Sequence, residues 1–237
     1  MELNELKRAM IVAAHPDDPD IGCGGTAARM TKNGSEVIYV VCTRGDKGSS
    51  DLEMTSDRLP VLRDAEQRAA AEVLGVKEVV FLNELDGEVQ NTLAFRGDVV
   101  RAIRYYRPDA VFTHDPTGHI LRNTFLNHPD HRAVGTVALD AIFPSARDHL
   151  QYPDHYYKEG LLPHKVLEVY LFGSNEPNIW IDVADTIELK IAALLKHVTQ
   201  FGEREQMGDF VRARAQAIGE GQDLAYAEAF RRISLPR

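Results

Sequence analysis

His15, Asp17 and Asp18 fall within one short segment, Ala14-His-Pro-Asp-Asp18, and a second segment far along the chain reads His128-Pro-Asp-His131. In each, the outer residues stand three apart, as one turn of chain requires to aim two side chains at a shared centre. An imidazole and a carboxylate are good donors for a divalent ion of borderline softness, zinc above all. Asp17, between His15 and Asp18, would face differently and stay free, and a free carboxylate beside a metal-activated water is the arrangement of a general base. The second segment offers two imidazoles where one more ligand is needed. Catalytic zinc keeps three protein ligands and one open position, and His15, Asp18 and His131 would supply the three. His128 would then be free to donate a hydrogen bond to developing negative charge or to protonate a leaving group. The bland readings are a polar helix cap for the first segment and a surface histidine cluster for the second. Two such segments at strand ends in one chain favour a metal site.

Positioning them is the task of the elements around them. Residues 9–14 form an apolar run stopped by Pro16, which predicts a buried strand. Further strands are predicted at 36–42, 79–82, 110–113, 166–172 and 179–183. Helices are expected at 24–32, 59–74, 93–106 and 130–142. An amphipathic helix is expected at 187–201, with Ile187, Ile191, Leu194, Leu195 and Val198 on one face, and two shorter helices near 209–218 and 225–233. The loop 43–57 is long for a connection, and 143–163 reads as irregular. The alternation predicts an α/β, Rossmann-like fold: a mostly parallel sheet with helices on both faces. Both histidine segments follow strands, and open sheets of this kind bind ligands at the carboxyl ends of strands. No repeat or linker divides the sequence, so residues 1–237 are expected to form a single domain.

Composition narrows the function. The 237 residues are 44% hydrophobic and 27% charged, as in an ordinary globular protein, with a formal net charge of −9. So acidic a chain is a poor match for nucleic acid or an anionic membrane surface. Cys23 and Cys42 form no Cys-x-x-Cys pair. The charged N-terminus lacks the apolar core of a signal peptide, and no apolar stretch approaches membrane-spanning length, so the expected location is the cytoplasm. Gly22-Cys-Gly-Gly25 opens a helix after a strand, but position 27 is Ala27 and the adjacent acids would repel a pyrophosphate, which argues against a dinucleotide site.

His15-Pro-Asp-Asp18 followed by Gly22-Cys-Gly-Gly25, with His128-Pro-Asp-His131 downstream, resembles the LmbE/PIG-L family of zinc-dependent N-acetylglucosaminyl deacetylases. Arg63-Asp-Ala-Glu66 with Leu74-Gly75-Val76, then Phe81-Leu82, Asp86-Gly87 and His197-Val-Thr-Gln200, extend the resemblance from about residue 9 to about residue 201. It implies hydrolysis of an N-acetyl group from an amino sugar or sugar conjugate. Zn2+, or another divalent ion such as Fe2+, would sit on His15, Asp18 and His131, with Asp17 as general base. His128 would stabilise the oxyanion or act as acid, Asp130 would tune it through a hydrogen bond, and Arg63 would contact substrate. The resemblance also implies a homo-oligomer, trimer or hexamer, for which the Tyr152–Tyr157 segment is a candidate contact. Two acids are one methylene shorter than the family's pattern, Asp20 and Asp46, which bears on substrate fit more than on metal chemistry. The alternatives are a metal-dependent hydrolase of another amide or ester and a non-catalytic metal- or sugar-binding module.

Overall fold

The computed structural model describes residues 2–202 and 206–236. In chain order the elements are β1 (Arg8–Ala13), α1 (Asp18–Lys32), β2 (Glu36–Thr43), α2 (Leu59–Leu74), β3 (Glu78–Glu84), α3 (Leu93–Tyr106) and β4 (Ala110–His114). Then come a two-strand hairpin, β5 (Ile120–Leu121) and β6 (Phe125–Leu126), followed by α4 (Pro129–Ile142) and α5 (Pro153–Tyr157). The last are β7 (Glu168–Phe172), β8 (Ile179–Asp182), α6 (Ile187–Leu194), α7 (Val198–Phe201), α8 (Met207–Gly219) and β9 (Ala227–Ser234). Seven strands form one sheet in the order β3-β2-β1-β4-β7-β9-β8. The first five in that order pair in parallel, whereas β9 runs antiparallel to both β7 and β8.

Alternate residues of the central strands feed two apolar layers, as the period of two dictates. Ala9, Ile11 and Ala13 of β1 pack with Val37, Tyr39 and Val41 of β2 under α1, α2, α6 and α8. Met10 and Val12 pack with Ile38, Val40 and Cys42 under α3 and α4. Strands covered on both faces read as unbroken apolar runs, which is why β1 and β2 stand out in the sequence. Successive connections leave β1 in one direction through β2 and β3 and in the other through β4 and β7. The strand order therefore reverses between β1 and β4, and a crevice opens there at the carboxyl edge.

Three expectations are corrected. The segment 225–233 is strand, not helix. Its Ala, Glu and Arg residues favour a helix, but the slot between β7 and β8 needs a strand to satisfy two rows of backbone groups, and Phe230 packs edge-on against Phe112 there at 5.5 Å. The helix expected over 187–201 is broken into α6 and α7. His197 lies between them, fully buried and turned inward to Asp20, while Leu195 and Val198 of the expected apolar face are exposed. Helix α1 begins at Asp18 rather than at 24, and departs from helical geometry at Cys23. Among the described residues no helix is long and apolar enough to cross a membrane.

Candidate metal centre

β1 delivers His15 to the crevice, and the chain turns sharply after it. Asp17 takes φ 100° and ψ −33°, a disfavoured conformation for a residue with a Cβ. Its N–H donates to Gln67 Oε1 at 2.8 Å, which holds the turn. Asp18 then starts α1. From the neighbouring strand, β4 ends at His114, whose Nε2 accepts from the Ala14 N–H at 3.1 Å. Helix α4 lies very close to that strand end: a Cβ on Gly135 would sit 2.4 Å from the His114 carbonyl oxygen. This approach stacks His131, in the first turn of α4, on His114 with 4.1 Å between ring centres.

Around His15 the carboxylates converge. Its Nδ1 lies 3.1 Å from Asp18 Oδ2, and its Nε2 lies 3.1 Å from both Asp130 Oδ2 and Asp86 Oδ1. Asp18 bridges outward, with Oδ1 3.3 Å from His131 Nε2 and Oδ2 3.5 Å from His114 Nε2. The potential donor atoms fall into three overlapping groups, each within 4.8 Å: His15, His128 and His131; His15, Asp86, His128 and Asp130; and Asp18, His114 and His131. Asp18, rather than a single compact triangle, links the three expected ligands. Burial works against charge on His15, yet its hydrogen bonds to Asp130, Asp18 and Asp86 push it up to about 12. The position therefore holds a positive charge strongly, and the mixed imidazole and carboxylate donors fit a divalent cation there.

The surrounding groups are held in contrasting states. Burial and the adjacent Asp18 charge push Asp17 up to about 7. Burial opposes the charge on Asp18, but His131 and His114 carry it well below the usual carboxylate range. Burial, reinforced by His131, drops His114 to about 4. His128, half-buried as the cap of α4, accepts the Asp130 N–H on Nδ1 at 3.2 Å, and burial together with His15 lowers it. It is thus a neutral ring with Nε2 as its donor.

All seven residues singled out from the sequence meet here, though not each as expected. The Asp130 carboxylate reaches His15 and the Gly87 N–H (2.6 Å), while its nearest approach to His128 Nδ1 is 3.9 Å. It orients His15 rather than His128, because α4 turns its side chain under the crevice. Arg63 is buried, with its guanidinium donating to the Pro16 carbonyl and lying 3.4 Å from Asp17 Oδ2, and its Nε lacks a hydrogen-bond partner.

The sequence leaves His114 open between lining the site, shaping a second metal position and lying in a solvated loop, and it gives Asp86 and Gln67 no role in the site. Asp86 sits in an Asp-Gly turn just after β3 and His114 ends β4, so position at the carboxyl edge was the available signal. Gln67, on a helix, carried none. Of the two shortened acids, Asp46 accepts the Asp86 N–H at 3.0 Å. Asp20, fully buried, accepts from Gln67 Nε2 at 2.8 Å and from the Tyr39 hydroxyl at 3.1 Å, and lies 2.8 Å from His197 Nε2. The Asp154-His155 pair reads as surface from the sequence, yet His155 is buried against Tyr152.

Against known proteins, the PIG-L profile, described as GlcNAc-PI de-N-acetylase, matches residues 10–142. A diacetylchitobiose deacetylase of Thermococcus kodakarensis is 32% identical over 230 residues, covering 96% of this chain and 84% of its own. A 1D-myo-inositol 2-acetamido-2-deoxy-alpha-D-glucopyranoside deacetylase of a Mycobacterium species is 29% identical, covering 82% of this chain and 74% of its own. Among solved structures, N,N'-diacetylchitobiose deacetylase from Pyrococcus horikoshii superposes with a TM-score of 0.87 at 32% identity, over 98% of this chain and 85% of that one.

Proposed function

The chain belongs to the PIG-L family of de-N-acetylases, and from that premise we propose how it removes the acetyl group from an N-acetylglucosamine-containing substrate. The observation that carries the reading is a buried carboxylate, Asp17, standing free beside the convergence of His15, Asp18 and His131. Those three are the proposed ligands, and zinc is the proposed ion. Held there, such an ion would supply polarisation of the amide carbonyl and would lower the pKa of a water toward about 7.

The residues then divide the work. Asp17 takes the proton of the attacking water, a role suited to a carboxyl pushed up to about 7. Neutral His128 donates from Nε2 to the oxygen that gains charge as the carbonyl becomes tetrahedral. The same proton passes from Asp17 to the leaving amine, so the C–N bond breaks to free amine and acetate. Asp130 and Asp86 hold His15 in place, and the backbone of Gly87 holds Asp130. Arg63 steadies Asp17 and is proposed to contact the substrate. The assembly is proposed to be a homo-oligomer, trimer or hexamer, with Tyr157 (68% exposed) among the candidate contacts.

Metal analysis of the purified protein coupled to free-amine release from N-acetylglucosamine, N,N'-diacetylchitobiose and the N-acetylglucosaminyl inositol conjugate tests this. Zinc at one per chain with amine release from at least one is expected. Zinc without release from any N-acetyl sugar would reject deacetylation in favour of another amide, an ester or binding alone.

A further inference from the structure

A cavity of about 1380 Å³ lies beside the histidine–aspartate centre rather than within it. Three connections join the two. Ile21 and Gly22 line the cavity and follow Asp18 by three and four residues on α1, within about 6 Å of rise along the helix. The Phe172 ring stands between them: a Cβ on Gly22 would lie 2.7 Å from it, and His114 meets it at 4.5 Å between ring centres. The β5–β6 hairpin, which leads into His128, places Arg122 and Asn123 on the cavity wall. Asn175 ties that hairpin down, accepting from the Arg122 N–H at 3.0 Å and donating to the Ile120 carbonyl at 2.8 Å.

The wall has two characters. Trp180, Met207, Phe210 and Val211 make an aromatic and apolar side. Arg122 and Arg214 bring two guanidiniums that have no carboxylate partner among the described residues. The remaining charges are engaged: Lys190 Nζ lies 2.5 Å from Glu228 Oε1, and Glu228 also accepts from the N–H groups of Gly25 and Thr26 at 3.0 and 2.8 Å. Both arginines are exposed, and the like charge of Arg122 works against that of Arg214, a repulsion an anion relieves. In a chain of net charge −9, two guanidiniums in one cavity with no carboxylate partner among the described residues mark a place where an anion is attracted against the general field.

Resting on the deacetylase reading above, we infer that this cavity receives the group joined to the N-acetyl sugar, and that this group is a carboxylate or phosphate ester carried on an apolar ring. The guanidinium fork matches the paired oxygens of such anions, and the aromatic wall matches the ring.

Trp180 is the chain's one tryptophan, so its fluorescence reports the cavity without any turnover. The probes are 4-carboxyphenyl and phenyl N-acetyl-β-D-glucosaminide, titrated into the metal-loaded protein. The carboxylate glycoside is expected to change Trp180 emission saturably and to bind about tenfold or more tightly than the phenyl glycoside. The R122A/R214A double variant is expected to bind the two alike, while Arg212→Ala, on the same helix and paired with Glu188, keeps the preference. Thermal unfolding of each variant confirms that it is folded. Equal binding by the wild-type protein, or a preference that survives the double substitution, overturns the inference whatever the turnover. A fluorescence preference that depends on the two arginines, without amine release from any N-acetyl sugar, supports the anion cavity and rejects the deacetylase reading separately.

Discussion

At the scale of single residues, the base is defined by what it does not touch. Asp17 is kept off the donor cluster by its turn at φ 100°, which Gln67 and the Pro16 carbonyl-to-Arg63 contact stabilise. Replacing Asp17 by Asn preserves shape and removes proton acceptance. Asp17→Asn is expected to retain one metal per chain and to lose about 10²- to 10⁴-fold in kcat; near-normal turnover would remove Asp17 from the role. His131→Ala, by contrast, leaves Asp18 Oδ1 without its partner and should lower metal affinity by more than about 100-fold, measured as metal retained after dialysis. Stoichiometric zinc in that variant would mean a different donor set, for which His114 and His128 are the available imidazoles. His15, Asp17 and Asp18 were legible in the sequence because their spacing is local and their chemistry is unusual for a cap. His114 and Asp86 become donors only when β4 and the turn after β3 are brought to the same edge, information carried by strand order and not by neighbours in sequence. Gln67 is a helix residue like any other until its partner at Asp17 is known.

At the scale of elements, β9 is the strand of the sheet that the sequence does not reveal. β1, β2 and β4 are buried on both faces, so each is an apolar run with a turn at its end. β9 carries charged residues along its length, and its pairing partners, β7 and β8, lie earlier in the chain, so helix propensity was the misleading signal. What fixes β9 in register is polar: Glu168 on β7 stands opposite Ser234 and accepts from Arg232 Nε at 2.9 Å and Ser234 Oγ at 2.8 Å. Burial opposes the Glu168 charge, but hydrogen bonds, that from Arg232 first among them, outweigh it and draw the carboxyl down to about 2. A carboxyl with a folded pKa below its unfolded value near 4.3 stabilises fully above that value, and the contribution disappears as pH falls through the folded pKa. Glu168→Gln is therefore expected to cost about 2 kcal/mol at pH 7 by denaturant unfolding, with the gap to wild type closing between about pH 4.5 and pH 2. A gap independent of pH would show that shape, not charge, pins the last strand.

At the scale of the whole molecule, the question is whether the cation organises the fold or the fold organises the cation site. Two apolar layers, one on each side of a seven-stranded sheet, are complete without the crevice, and a chain of 237 residues buries enough surface to fold without a metal staple. The crevice itself gathers Asp18, Asp86 and Asp130 around one ring, a concentration of negative charge that would repel itself if His15 did not stay protonated well above neutral pH. The same three carboxylates favour a cation at that ring. Chelation is expected to lower Tm without unfolding the chain. For a metal present at about 100 times its Kd the loss is about 2.7 kcal/mol, or about 5–10 °C for a chain of this size. Stoichiometric Zn2+ should restore the original Tm. Collapse of the cooperative transition on chelation would reverse the assignment, making the cation a structural requirement of the sheet rather than a guest in a preformed edge.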